Sequence, residues 1–122
     1  MNLTNNEIYM YYNNLEHSFV NETRQMPAKI YFYILKNQKT LEKLVQEIEQ
    51  GKMYIIDKYH IQFSGDGQLL ASPEDEQSAN KELQELSNIE QNVDIYMLKL
   101  QDIEELEFTP QQMEALMFMI EE

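Results

Sequence analysis

The 122-residue chain has no cysteine and no tryptophan, and only three glycines, three prolines and two histidines. Without cysteine there is no disulfide framework, no thiolate-ligated zinc or iron–sulfur centre and no thiol nucleophile, a composition that fits a reducing cytoplasm. Met1 to Val20 lack the basic n-region and unbroken apolar core of a secretory signal, and no later stretch approaches the ~20 apolar residues of a membrane span. No repeat, Gly/Ser linker or low-complexity tract interrupts the chain, so residues 1–122 are expected to form one domain. An apolar content of 43% argues against disorder despite a mean hydropathy of −0.59.

Basic residues are the other scarcity. Nine Lys and Arg face 22 Asp and Glu, a net charge of −13. Residues 1–65 balance seven acids with seven bases (Arg24, Lys29, Lys36, Lys39, Lys43, Lys52, Lys58), whereas residues 66–122 hold fifteen acids against Lys81 and Lys99 alone. The whole net charge therefore lies in the C-terminal half. That half repels nucleic acid and anionic lipid, which bind through Lys and Arg, and it favours a basic protein partner, because complementary potentials speed encounter and select partners. An acidic surface also serves solubility.

Periodicity predicts an α+β, mainly α, fold. Thr4-Asn5-Asn6-Glu7 is a capping box, and Ile8, Tyr12, Leu15 and Phe19 form one helical stripe to about Glu22. Pro27 suits a first helical turn. After it, Ile30, Ile34, Asn37, Leu41, Leu44, Ile48, Gly51 and Ile55 alternate spacings of 4 and 3, the seam of a long helix laid against another and running to about Tyr59. Asn37 in such a seam fixes register at some cost in stability. Ile61 and Phe63, then Ser64-Gly65-Asp66-Gly67, then Leu69 and Leu70 read as a β-hairpin. Ser72 and Pro73 start a third helix to about Asn88, with a thin stripe of Ala79, Leu83, Leu86 and Ile89. Val93 to Leu100 is rich in strand formers and is expected to lie beside the hairpin. Thr109, Pro110 and Gln112 open a last helix, with Met113, Leu116, Met117 and Ile120 on one face to the chain end.

Little of this carries catalytic chemistry. His17 and His60 stand 43 positions apart, outside any two-ligand helical spacing, so no metal site is expected. Ser64 to Gly67 lacks the Lys-Ser/Thr pair of a phosphate loop and the alternating ligands of a calcium loop. Carboxylate pairs such as Glu74 with Glu76, Glu82 with Glu85 and Glu104 with Glu105 follow from composition, and no Gly-x-Ser-x-Gly elbow occurs. The chain is expected not to be an enzyme and to need no cofactor. Five of the eight tyrosines (Tyr9, Tyr11, Tyr12, Tyr31, Tyr33) fall in the first 33 residues, where they are expected to serve packing ahead of binding.

Met26-Pro27-Ala28-Lys29-Ile30 with Tyr33, Lys36 and Asn37, and Phe108-Thr109-Pro110 with Met113 to Glu121, carry a resemblance over residues 26 to 122. In these the chain resembles small uncharacterised proteins of tailed phages and prophages of Gram-positive bacteria. There a proline and lysine open a long helix, a Gly/Asp-rich turn follows and a short acidic helix closes the chain. No catalytic residues come with the resemblance. It implies a phage or prophage origin and one of two roles, blocking a host defence factor or assisting virion assembly.

The leading expectation is a binding protein of the host cytoplasm whose acidic half engages a basic host protein, such as a nucleic-acid-binding defence enzyme, by mimicking phosphate charge. Asp75, Glu76, Glu82, Glu85, Asp102, Glu104, Glu105 and Glu107 are its candidate contact residues. The alternative is a structural or assembly factor that forms a homodimer through residues 30–55, using the Ile34, Leu41, Leu44, Ile48 and Ile55 seam.

Overall fold

The computed structural model describes residues 1–63, 65 and 69–121. It begins with strand β1 (Asn2–Thr4), helix α1 (Asn5–Phe19) and helix α2 (Ala28–Lys58). The hairpin strands β2 (Gln62–Phe63) and β3 (Leu69–Leu70) lead to helix α3 (Pro73–Ser87). Strands β4 (Glu90–Asn92) and β5 (Leu98–Lys99), helices α4 (Leu100–Ile103) and α5 (Pro110–Leu116), a 3-10 turn (Met117–Met119) and strand β6 (Ile120–Glu121) complete the chain. No helix among the described residues is long and apolar enough to cross a membrane.

The expected caps form because their partners lie three residues away. Thr4 Oγ1 accepts from Glu7 N at 3.1 Å while Thr4 N donates to Glu7 Oε1 at 3.0 Å, and Thr109 with Gln112 repeats the exchange at 3.1 and 3.0 Å. Ser72 Oγ caps α3 by accepting from Asp75 N at 3.1 Å. Helix α2 runs through Gly51, where Leu86 of α3 packs so close that an added Cβ would stand 3.2 Å from its Cδ2. It stops at His60, whose φ of 53° is the left-handed turn usually given to glycine. His60 N donates to Asp57 O and Ile61 N to Ile56 O, closing the end in a Schellman pattern with Ile61 buried beside Ile55.

The α2 seam is the spine of the core. Ile30, Ile34, Asn37, Leu41, Ile48 and Ile55 are buried and Leu44 is half-buried. From Ile30 to Ile48 they face Ile8 and Leu15 of α1, Leu116 of α5, and Leu3, Val93, Leu98, Ile103 and Met119, while Ile55 packs with Ile61 and Ala79 in a smaller second cluster. The seam expected to join two copies is therefore spent inside one chain; docking a second copy on it would require opening the core. Helix α5 returns onto α1, with the Tyr11 and Phe118 rings stacked at 4.5 Å and Phe19 edge-on to Phe108 at 5.9 Å.

Three expectations are corrected. Residues 93–100 form no strand beside the hairpin. β4 pairs antiparallel with β1 (Leu3 opposite Gln91), and β5 pairs parallel with β6 (Leu98 opposite Ile120). Among the described residues the hairpin pairs its own strands, Gln62 with Leu70 and Phe63 with Leu69. Between β4 and β5 the backbone is held by a side chain: the Asn37 amide donates to Tyr96 O at 3.0 Å and accepts from Tyr96 N at 2.9 Å. A fully buried amide thus takes the place of a neighbouring strand. The last helix ends at Leu116 instead of the chain end. The tightened turn that follows leaves Met119 fully buried and Met117 59% exposed, and it carries Ile120 to β5. In α3, Ile89 lies beyond the helix and is exposed. Of the expected turn, Ser64, Asp66 and Gly67 lie outside the described residues.

Candidate protein-binding surface

The eight candidate acids fall into two groups at opposite ends of α2. Asp75, Glu76, Glu82 and Glu85 ride on α3, which lies along the C-terminal part of α2; Glu82 meets Lys58 there, Oε1 to Nζ at 3.0 Å. Asp102 caps α4, accepting from Lys99 N at 2.9 Å, and it reaches Lys29 Nζ at 3.4 Å in the first turn of α2. Lys29 and Lys58 are separated by about 43 Å of helix at 1.5 Å rise per residue. The structure therefore does not bring the eight together.

Their environments differ as well. Glu82 is half-buried and its Oε2 is shielded from water without a well-formed hydrogen bond among the described residues. The Tyr59 hydroxyl beside it and the Lys58 ammonium hold its carboxyl below the usual range. The Lys99 N–H, and then Lys29, do the same for Asp102. These two acids are thus engaged within the fold. Asp75 is half-buried at the start of α3, whereas Glu76, Glu85, Glu104, Glu105 and Glu107 are exposed.

The α4 end gains a residue that local patterns do not reveal. Parallel pairing of β6 with β5 brings Glu121 to the mouth of a shallow depression of about 390 Å³ shared with Lys99, Leu100, Gln101 and Glu104. Leu100 is 54% exposed at its rim. Carboxylates beside an exposed leucine suit contact with a basic protein surface that offers an apolar side chain. The only sequence signal for Glu121 is the Phe118-Met119-Ile120 run, read as helix.

A third acid is held for structural reasons. Glu22, just beyond α1, accepts from Gln112 Nε2 at 2.7 Å and from Arg24 N at 2.8 Å, and both bonds lower its pKa, Gln112 the more. Gln112 Nε2 also donates to Ser18 O at 3.1 Å, so this buried glutamine locks the end of α1 to the start of α5.

Among the described residues no three His, Asp or Glu side chains converge as metal ligands. His17 is exposed on α1, and His60 serves the end of α2. A groove of about 240 Å³ between α1 and α2 is lined by Asn5, Asn6, Asn13, Tyr9 and Lys52. Its Asn5 amide is already bound to Leu86 O at 2.8 Å and Gln91 Nε2 at 2.7 Å, and Lys52 lies 4.2 Å over the Tyr9 ring, so these two polar groups are engaged within the fold. Four of the five early tyrosines are half-buried; Tyr31 is 58% exposed. No protein-family model, no curated protein and no solved structure matches the chain.

Proposed function

We propose that this chain is a non-enzymatic, phage-type binding protein of the host cytoplasm, and that the α4 end of its acidic half engages a basic surface of a host protein. The single observation that supports this reading is the pair of exposed acids Glu104 and Glu121 that share one depression with exposed Leu100, followed in sequence by exposed Glu105 and Glu107, in a half of the sequence that carries the entire net charge. A typical footprint of about 800 Å² per partner is roughly 30 Å across, less than the separation of the two acidic groups, so one partner covers one group. The α4 group is the better candidate because it adds an apolar anchor and Glu121 to its free carboxylates. A row of carboxylates presented to Lys and Arg imitates a phosphate backbone, and a nucleic-acid-binding defence enzyme offers such a basic surface.

The test is affinity capture from nuclease-treated host lysate with the natural chain and with E104K/E105K, each washed at low and at high salt. A basic protein held by the natural chain at low salt, released at high salt and missing from the variant supports the reading. Equal retention by both chains, or recovery of this chain alone, overturns it.

A further inference from the structure

Helix α2 has a second stripe, on the face turned away from the core. Phe32, Lys36, Lys39, Lys43, Gln46, Gln50, Met53 and Asp57 follow one another at spacings of 4, 3, 4, 3, 4, 3 and 4, and every one of them is exposed. Apolar side chains stand toward both ends, with Phe32 48%, Met53 53% and the adjoining Tyr54 68% exposed before the stripe closes on Asp57, and the part after Phe32 is basic. Phe32 to Met53 spans about 32 Å of straight helix at 1.5 Å per residue.

The middle is unusual for its missing counter-charges. Arg24 pairs with Glu22, Lys29 with Asp102, Lys52 with Glu49 and Lys58 with Glu82. Of the seven bases in residues 1–65, Lys36, Lys39 and Lys43 alone have no acidic partner among the described residues, in a chain where acids outnumber bases 22 to nine. Ionic partners would be easy to supply from such a composition, and among the described residues no carboxylate comes within 4 Å of these three. Lys36 instead lies 6.0 Å over the Phe32 ring.

We propose that this outward stripe of α2 docks an acidic amphipathic helix of a partner protein. Its central glutamates or aspartates would meet Lys36, Lys39 and Lys43, and its apolar end residues would cover Phe32 and the Met53–Tyr54 pair. The heptad spacing sustained over about 32 Å selects a helix, since only another helix keeps side chains in register with such a ridge. Charge complementarity selects acids. Screening within about 8 Å at physiological salt lets these local lysines act despite the net charge of −13. Nucleic acid fits less well: three lysines are few beside the 6–10 phosphate contacts typical of electrostatic binding. The stripe is separate from the α4 acids, so this inference stands or falls independently of the proposed function.

The probe is a fluorescein-labelled, helix-forming peptide of three heptads with leucines in its first and last turns and glutamates between, titrated with the full chain at physiological ionic strength, where the net charge of −13 is screened. A matched peptide with glutamine for glutamate is the control. Saturable binding of the acidic peptide is expected, weakened about ten-fold in K36Q/K43Q, as two partly desolvated ion pairs would give. K81Q/K99Q makes the same charge change elsewhere and should bind within about two-fold of the natural chain. All four lysines are exposed, so both variants should retain the helical circular dichroism of the natural chain. Absence of saturable binding, or equal weakening in both variants, overturns the proposal. It is equally overturned if oligothymidylate binds the stripe in place of the peptide, or if sedimentation shows self-association that K36Q/K43Q abolishes.

Discussion

Asn37→Leu separates two accounts of a polar residue in an apolar seam. An asparagine that only fixes helix register is a local cost, and leucine in its place should be neutral or stabilising. The structure assigns a different job. Asn37 is fully buried, and both ends of its amide are used by one residue, Tyr96, whose C=O and N–H lie 3.0 and 2.9 Å away, with Met119 Sδ at 3.4 Å from the same nitrogen. Leucine fills similar space and offers neither donor nor acceptor. Each stranded backbone group costs about 1–3 kcal/mol, so the pair costs about 2–6 kcal/mol. The added apolar contact returns about 1–2 kcal/mol, leaving a net loss of about 3 kcal/mol.

That loss is a large share of the ~5–15 kcal/mol that holds a domain together. At about 4 °C per kcal/mol for a chain of this size, the thermal midpoint should fall by roughly 12 °C. Urea unfolding followed by circular dichroism gives the free energy directly, from the midpoint and the slope. Tyr96 is 39% exposed, so the variant has an escape: residues 94–97 can peel away and let water satisfy the stranded groups. That route shows as lost amide-exchange protection at Tyr96 and a smaller urea slope, because less surface remains to be exposed on unfolding. A variant as stable as the natural chain, with Tyr96 still protected, would refute the strand-substitute role.

His60→Gly should stabilise the fold by about 0.5–1 kcal/mol, because a non-glycine residue at φ 53° carries strain that glycine lacks; a lower urea midpoint would contradict the Schellman end of α2. Glu22→Gln should remove part of the pH dependence of stability. Gln112 and Arg24 hold the Glu22 carboxyl below its ordinary value of 4.5, so the unfolded chain takes up the proton more readily. The stabilisation is then fully present above about that value and is lost as pH falls through the lowered one. Urea midpoints of the two chains should differ at neutral pH and converge in acid; a gap that widens as the pH drops would reverse the sign and reject the account.

The helices were legible because their causes are local. Thr4, Ser72 and Thr109 each cap a donor three residues on, and the alternating spacings from Ile30 to Ile55 hold whatever the seam faces. Even Gly51 yields to that rule, since the phase resumes at Ile55. The segment after α3 was misread for the opposite reason. Val93 to Leu100 has strand composition, but a strand is defined by its neighbour, and here the neighbours are Met1 O, β6 and one side chain 59 residues away. Hydropathy placed Asn37 in the seam and could not reveal that its amide faces a backbone. The same non-locality hid β6: Met117 to Ile120 satisfies a helical pattern, and burial of Met119 together with pairing of Ile120 to Leu98 decides against it.

The acidic half shows where composition stops being informative. Charge counts locate −13 in residues 66–122, yet a chain folded around a 31-residue helix must distribute those acids along its length. Two of the eight candidates, Glu82 and Asp102, turn inward to lysines at opposite ends of α2, pairings that cross 24 and 73 positions and leave no trace in any window of sequence. What remains at each end is a separate small set of carboxylates, and at the α4 end Glu104 and Glu121 share a depression with exposed Leu100. The lysines give the converse lesson. Their count in residues 1–65 balances the acids, which reads as neutrality, but four of the seven bases are consumed by specific pairs, and the three left over share one face of one helix. A net charge of zero over half a chain therefore conceals a basic ridge, just as a net charge of −13 over the other half conceals two acidic surfaces too far apart to act as one.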